Sequence, residues 1–331
     1  MNQFLRSLTP TQQVGALFLI VFGILVIASV AAFLFTFRES RTPGDEARHE
    51  ELRNFRSLLG TSWWMVAVFW LAWVLGDTAA TVLFALVAFF ALREFITLSP
   101  TRRGDHRSLV LAFFVVLPIQ FWLVRTEHFD LFTVFIPVYV FLLVPVASAL
   151  AGDTQRFLER NAKLQWGIMV CVYGMSHVPA LLLLDFPKRN YQGKGAFLVF
   201  FLVFVVQTCM LVQHIVTRNL KRPPSIPEVS ASFNWYPWAL GMLVGSIVGG
   251  LLSFITPFKP GQALAMAFVA CVAGSMGHLV MKALKRDRGV TAWGQRGMMS
   301  VTGANGILDR VDALCFAAPI FFHSVRWYFG A

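Results

Sequence analysis

The sequence predicts an all-α fold, a polytopic integral membrane bundle of about nine to ten transmembrane helices. Of its residues, 57% are hydrophobic and 14% are charged, whereas soluble chains average about 45–50% apolar and about 25% charged. Apolar runs of roughly 20 residues recur along the whole chain, long enough to cross a hydrocarbon layer of about 30 Å. These runs are continuous, which excludes the alternating pattern of a transmembrane β-barrel.

Proline and glycine separate the apolar runs, for example at Pro100, Pro187 and Pro260-Gly261. The first run is too long for a signal peptide, so we interpret it as a retained helix. The boundary at Gly76-Asp77 is the least distinct, because one long tilted helix there would lower the helix count by one. The predicted spans are 14–37, 61–77, 78–98, 108–124, 131–150, 164–184, 195–217, 236–257, 261–283 and 311–330.

Lysine and arginine are concentrated in alternate loops, and this asymmetry orients the predicted bundle. By the positive-inside rule we expect both termini outside and the loop before the last span in the cytoplasm. We expect the membrane to be a bacterial inner (cytoplasmic) membrane. The net charge of +11 is dispersed among short loops without forming a stripe. It therefore suits contact with anionic lipid, and we expect no nucleic-acid partner.

The chain is expected to divide near residue 130. Residues 1–130 would form N-terminal transmembrane helices with an amphipathic cytoplasmic loop at 38–60, whose acids come early and arginines late. Residues 131–331 would form a C-terminal transmembrane region of catalytic type, with its most informative motif at 277–323. A face for close helix packing is predicted at the glycines that repeat every fourth residue, Gly241, Gly245 and Gly249.

The motif places two aspartates at the start of the last apolar run. Asp309 and Asp312 are three residues apart, so they share a face if the segment is helical. Two neighbouring carboxylates repel each other unless a cation lies between them, and Mg²⁺ (or Mn²⁺) bound by carboxylates and phosphate oxygens fits this chemistry. Positive charge to bind phosphates is predicted for Lys285, Arg286 and Arg310. Close approach of the backbone to these phosphates is predicted at Gly294, Gly303 and Gly306.

The same stretch resembles the C-terminal end of the CDP-diacylglycerol synthases, the phosphatidate cytidylyltransferases. The matching residues are Lys285-Arg286, Leu308-Asp309-Arg310 and Asp312, followed by an apolar tail. A shorter segment, "FFALREFITL" at Phe89 to Leu98, is similar to an earlier segment of that family. The resemblance implies a membrane-embedded, CTP-dependent enzyme that converts phosphatidate or a related lipid phosphate to a CDP-lipid and releases pyrophosphate.

The resemblance also implies roles for individual residues. Asp309 and Asp312 would hold Mg²⁺ (or Mn²⁺), with CTP and an anionic lipid as substrates in the bilayer. The sequence leaves a homodimer open. The implied catalytic residues are Asp309, Asp312, Lys285, Arg286 and Arg310, and the implied substrate-binding residues are Asn305, Gly303, Gly306, Gly294 and Glu94.

Departures from the family pattern keep two other functions open. Gly277-His278 stands where the family has Gly-Asp, Thr291-Ala292 where it has Lys-Asp, and Ala304-Asn305-Gly306 where it has His-Gly-Gly. A carboxylate replaced by alanine removes a metal ligand or an acid. The alternative is therefore a non-catalytic relative that binds lipid or a partner. A lipid or solute transporter is the third hypothesis.

Overall fold

The computed structural model describes most of the chain after residue 73. The described residues are 74–98, 101–186, 191, 194–220, 223–230, 232–290, 293, 295, 296, 299, 300 and 306–329, with single positions between 12 and 72. The chain separates into two units, Met1–Gly76 and Asp77–Ala331. The predicted boundary near residue 130 stays a prediction.

In the first unit, the positions that the structure describes before Gly76 are helical. The indole nitrogen Nε1 of Trp63 donates a hydrogen bond of 2.9 Å to Ser29 Oγ, and the ring of Trp63 meets Phe22 edge to face. These contacts join the two segments predicted as the first two spans. The amphipathic loop predicted at 38–60 lies outside the described residues, apart from Gly60.

The second unit consists of long helices joined by short connections. A two-residue strand pair, β1 (Gln295–Arg296) and β2 (Met299–Ser300), is antiparallel and lies in the connection before the last helix. The described helices are α1 (Asp77–Thr97), α2 (Arg103–Arg125), α3 (Phe129–Ala149), α4 (157–182), α5 (Gly195–Leu220), α6 (Trp235–Ile255), α7 (Pro260–Asp287) and α8 (Ile307–Phe329).

The predicted class, a polytopic helical membrane bundle, is confirmed. Six helices in the described part of the chain are long and apolar enough to cross a membrane, namely those that correspond to α1, α2, α3, α5, α6 and α7. The helices α4 and α8 overlap the predicted spans 164–184 and 311–330 except for their last one or two residues, and both carry charged residues at their starts. At Gly76, φ is +81°, a left-handed conformation that interrupts the helix where the boundary was predicted.

Three helices contain a wider π-helical turn in their middle, where side chains or prolines disturb the regular hydrogen-bond ladder. The segments are Ala112–Val116 in α2, Phe135–Val140 in α3 and Ile168–Gly174 in α4. Pro137 lies inside the second segment, and proline has no backbone N–H to continue the ladder.

The last helix, α8, lies at the centre of the unit and packs against α1, α4, α5 and α7. Glycine permits the closest approaches. A Cβ atom added to Gly277 of α7 would lie 2.2 Å from Cγ of Phe316, and one added to Gly174 would lie 2.3 Å from the Cys315 carbonyl oxygen. A side chain at either position would therefore push α8 away from its neighbour.

The glycine face predicted on α6 is confirmed as a packing surface. A Cβ atom at Gly245 would lie 2.7 Å from Sγ of Cys271, and one at Gly249 would lie 2.2 Å from Cβ of Ala267. Since Ala267 and Cys271 belong to α7, α6 and α7 approach each other through this face, as small residues allow in membrane helices.

A network of charges connects the start of α2 to the start of α4. The side chain of Arg160 is 5% exposed and pairs with Asp105 at 2.9 Å and with Asp153 at 2.6 Å. The backbone N–H of Gln155, followed by the Arg160 guanidinium, lowers the pKa of the Asp153 carboxyl. This network fixes the helix ends next to the site described below.

Candidate functional site

The candidate site lies where the C-terminal ends of α1 and α7 meet the N-terminal end of α8. Glu94, near the end of α1, is 1% exposed. Its carboxylate accepts hydrogen bonds from the backbone N–H groups of Ile307 at 3.1 Å and Leu308 at 2.9 Å. These are among the N–H groups at a helix start that have no partner within the helix. Glu94 therefore caps α8 across more than 200 residues of sequence and fixes where that helix begins.

Asp309 lies in the first turn of α8 and is bound on both carboxylate oxygens. Its Oδ1 accepts a hydrogen bond from Lys285 Nζ at 2.5 Å, and its Oδ2 accepts one from the backbone N–H of Trp293 at 3.0 Å. Gly306, just before the helix, has φ of +76°, the left-handed region that favours glycine. Asp309 thereby joins α7, the connection after α7 and α8.

Asp312 lies one turn further along α8 and is 3% exposed. His278 Nδ1 lies 2.7 Å from its Oδ2, and the backbone N–H of Ala313 donates to its Oδ1 at 2.6 Å. We call Asp309 and Asp312 the acid pair. The predicted shared helix face is confirmed, and each acid of the pair contacts a basic side chain of α7.

The basic side chains that face the acid pair form a row on α7. His278, Lys282 and Lys285 are spaced by four and three residues, so they lie on one side of the helix. We call them the basic row. Lys282 is half-buried and lies close enough to Lys285 and Asp312 to interact with both charges. Among the described residues, the side-chain ammonium of Lys282 takes part in no hydrogen bond and no ion pair.

The other predicted site residues lie in different places. Arg286 follows Lys285 and is turned to another side of α7, where Nη1 donates to the Pro227 carbonyl oxygen at 2.5 Å. Arg310 is half-buried beside Asp309 and interacts within the chain. Gly294, Gly303 and Asn305 lie outside the described residues. Their predicted contacts with substrate, and that of Glu94, stay predictions.

A cavity of about 170 Å³ lies beside Trp293, the residue whose backbone N–H contacts Asp309. Phe95, Trp166 and Trp293 supply aromatic walls, while Lys163 and Arg288 supply positive charge. Trp293 is 1% exposed and stacks on Phe95 at a ring separation of 5.5 Å. Its indole nitrogen Nε1 is buried and has no hydrogen-bond partner among the described residues.

The acid pair fits a divalent ion that arrives with phosphates. Mg²⁺ is usually held by one or two carboxylates together with substrate phosphates and water, so a complete protein cage is not needed. No cluster of three or more His, Cys, Asp or Glu side chains suited to a metal is found in the part of the chain that the structure describes. The four oxygens of the acid pair each accept one protein hydrogen bond, and a carboxylate oxygen has a second lone pair free for an ion.

The sequence predicted no role for three residues of this site. His278 stands where the family has an aspartate, and the structure makes it the partner of Asp312. Lys282 and Trp293 were not among the predicted site residues. The spacing of the basic row was a usable signal, because positions 278, 282 and 285 fall on one helical face that must meet another element.

Comparisons with known proteins find relatives over most of the chain. A family model described as the cytidylyltransferase family matches residues 57–328. The uncharacterized protein YnbB of Escherichia coli (strain K12) is 30% identical over 312 residues, which cover 93% of this chain and 96% of that protein. A phosphatidate cytidylyltransferase of Mycobacterium leprae (strain TN) is 25% identical over 131 residues, which cover 39% of this chain and 41% of that protein.

Proposed function

This chain belongs to the cytidylyltransferase family, and from that premise we propose that it transfers a cytidylyl group from CTP to phosphatidate or a related lipid phosphate. The products are a CDP-lipid and pyrophosphate. The observation that carries this proposal is the acid pair at the start of α8, which faces the basic row of α7 and is fixed in place by the buried Glu94. The partial likeness to a phosphatidate cytidylyltransferase supports the choice of lipid.

The reaction needs charge neutralisation and positioning more than covalent help from the protein. An oxygen of the lipid phosphate forms a bond to the α-phosphorus of CTP, and the bond from that phosphorus to the oxygen bridging to the β-phosphate breaks. Pyrophosphate leaves with the electron pair. Negative charge increases on the transferred group and the leaving group, where preorganised cations stabilise it. Lys285 provides such a cation at the boundary between α7 and α8.

Asp309 and Asp312 would hold the Mg²⁺ (or Mn²⁺) that this chemistry uses. When bound, the ion supplies a Lewis acid that offsets phosphate charge. Among the chain's own groups, Lys285 keeps Asp309 in position, and His278 does the same for Asp312. Glu94 positions the helix that carries both acids.

The proposed surroundings are a bacterial inner membrane with the acid pair on the cytoplasmic side. The concentration of lysine and arginine in the loops at this end supports that orientation, and CTP is a cytoplasmic compound. The bacterial relatives support the choice of membrane. Both chain termini would then lie outside.

The direct test is turnover by the purified full-length protein with phosphatidate, CTP and Mg²⁺, measured as CDP-lipid and pyrophosphate. We expect formation of both products and loss of at least about a hundredfold in Asp309→Asn and Asp312→Asn. Asp130→Asn is the matched control, because its carboxylate is 95% exposed and belongs to α3. Turnover in the wild type that is no higher than in the two acid-pair variants would refute the proposal.

A non-catalytic, lipid-binding relative remains the second candidate. The observation that favours it is that both acids are already matched by basic side chains of α7. It predicts that the protein binds anionic lipid but shows no Mg²⁺-dependent binding of CTP in calorimetry. A saturable, Mg²⁺-dependent CTP signal that is lost in Asp309→Asn would exclude this candidate.

A further inference from the structure

We propose that Lys282 binds the phosphate monoester of the lipid substrate. The inference rests on the proposed function, because it gives one substrate of that reaction a contact. It adds a residue to those predicted from the sequence motif, in which Lys285, Arg286 and Arg310 supply the positive charge for phosphates. The argument depends on the position of Lys282 between two ion pairs, on its lack of a described partner, and on its depth along α7.

The first step concerns the contacts of Lys282 at the helix boundary. Asp309 is in direct contact with Lys285 at 2.5 Å, and Asp312 is in direct contact with His278 at 2.7 Å. Lys282 lies between these two contacts on the same face of α7, close enough to Asp312 for the two charges to interact, but its ammonium forms no hydrogen bond or ion pair among the described residues. A half-buried ammonium without a hydrogen bond is costly near a membrane. An incoming anion would relieve that cost, so the arrangement favours binding of an anion at this point.

The second step concerns the chemistry of the anion. A phosphate monoester carries between one and two negative charges near neutral pH and offers several strong acceptor oxygens. The ammonium of Lys282 has three donors on a flexible stem, which suits a compact charged group. A neutral lipid headgroup would gain much less from this contact.

The third step decides between the lipid and the nucleotide. At 1.5 Å per residue, Lys282 lies about 4.5 Å further from the C-terminal end of α7 than Lys285 does. CTP enters from water at that end, where Lys285, Arg286 and Arg288 are the first cations to be reached. A lipid phosphate is held at the membrane boundary by its acyl chains. The deeper lysine therefore matches the lipid phosphate, and the shallower cations match the triphosphate.

The test measures binding separately from turnover. Full-length protein in detergent would be titrated with dioctanoyl phosphatidate, with dioctanoylglycerol as the same lipid without phosphate, and with CTP in the presence of Mg²⁺. We expect Lys282→Met to lower phosphatidate affinity by about ten- to a hundredfold, as for a lost hydrogen bond to a charged group. Lys282→Arg should recover most of that loss. The affinity for CTP should change by less than about threefold.

Lys259→Met is the matched control, because Lys259 is exposed immediately before the opposite end of α7. Thermal unfolding of all variants checks that they are folded, and Lys282→Met should be at least as stable as the wild type because a half-buried charge is removed. Unchanged phosphatidate affinity in Lys282→Met would overturn the inference. A decrease in CTP affinity in place of a decrease in phosphatidate affinity would also overturn it. A similar loss of dioctanoylglycerol binding would also overturn it, since the phosphate would then not be the recognised group.

The outcome for Lys282 can be distinguished from the outcome for the enzyme. Phosphatidate binding that depends on Lys282 in a protein that forms no CDP-lipid would support this contact and refute the proposed reaction. Normal turnover and normal phosphatidate affinity in Lys282→Met would refute this contact and leave the reaction standing.

Discussion

Replacing Glu94 by glutamine should loosen the start of α8 and displace the acid pair. The carboxylate accepts two hydrogen bonds from backbone N–H groups at the beginning of that helix. Glutamine has one carbonyl oxygen, so one of the two N–H groups would face an NH₂ group. A hydrogen bond to a charged group contributes about 1.5–3 kcal/mol, and a negative charge at a partly buried helix start contributes up to about 2 kcal/mol. Relief of carboxylate burial offsets part of this sum, which leaves a net loss of about 2–3 kcal/mol.

The assay is thermal unfolding of purified variants in one detergent, followed by turnover below the transition. A loss of 2–3 kcal/mol corresponds to about 3–4 °C in Tm for a chain of this length, because the entropy of unfolding is about 2.1 cal/mol/K per residue. Displacement of the acids should lower kcat by about tenfold or more, because small errors in position are costly in catalysis. Glu228→Gln is the matched control, since Glu228 is exposed. Equal Tm and equal kcat in the two variants would refute the assigned capping role.

Three further predictions concern the surroundings of the site. Trp293→Phe should change the free energy of unfolding by less than about 1–2 kcal/mol. The smaller ring loses packing, but removal of a buried N–H without a described partner offsets that loss. A larger decrease in stability in thermal unfolding would show that this N–H has a protein partner. Arg160→Met should destabilise the protein by about 3–5 kcal/mol, since it leaves the carboxylate of Asp105 uncompensated in a mostly buried position, and unchanged Tm would contradict that network. The pKa of Asp153 is lowered in the folded state, so the ionised carboxylate stabilises the fold. This stabilisation is fully present above the ordinary Asp pKa of about 3.9, and it is lost as the pH falls through the lower pKa of the folded state. The difference in Tm between the wild type and Asp153→Asn should therefore shrink at acidic pH, and a difference that grows there would contradict the assignment.

The helices and the acid pair could be predicted from local sequence, because each depends on spacing within one segment. Apolar runs gave the positions of α1 to α8 to within several residues, although α7 continues to Asp287 beyond its predicted end at 283. That extension carries Lys285 on the helix, where it reaches Asp309. A span predicted from hydropathy ends where the first charged residues occur. The helix itself can continue past them, because these charged side chains form contacts with neighbouring residues.

The partners of the acids could not be predicted in the same way. His278 and Asp312 are 34 residues apart in sequence, and their contact depends on the rotation of α7 against α8. That rotation is set by packing, for example by Gly277 against Phe316, which no short-range pattern specifies. Glu94 is a still longer-range case, because its role as a cap exists only once α1 and α8 are adjacent.

The contacts of the acid pair also bear on how substrates enter the site. Asp309 contacts Lys285 and Asp312 contacts His278, so two side-chain contacts join α7 to α8. A phosphate that binds Lys285 would compete with Asp309 for its ammonium. A phosphate that binds Lys282 would not have to break a described hydrogen bond or ion pair. Binding of a phosphate at Lys282 should therefore cost less than binding at Lys285, and in the proposed reaction the lipid phosphate would bind while the helix boundary is intact. The triphosphate would have to separate Lys285 from Asp309, so we expect its binding, more than that of the lipid, to require a divalent cation held by Asp309 and Asp312.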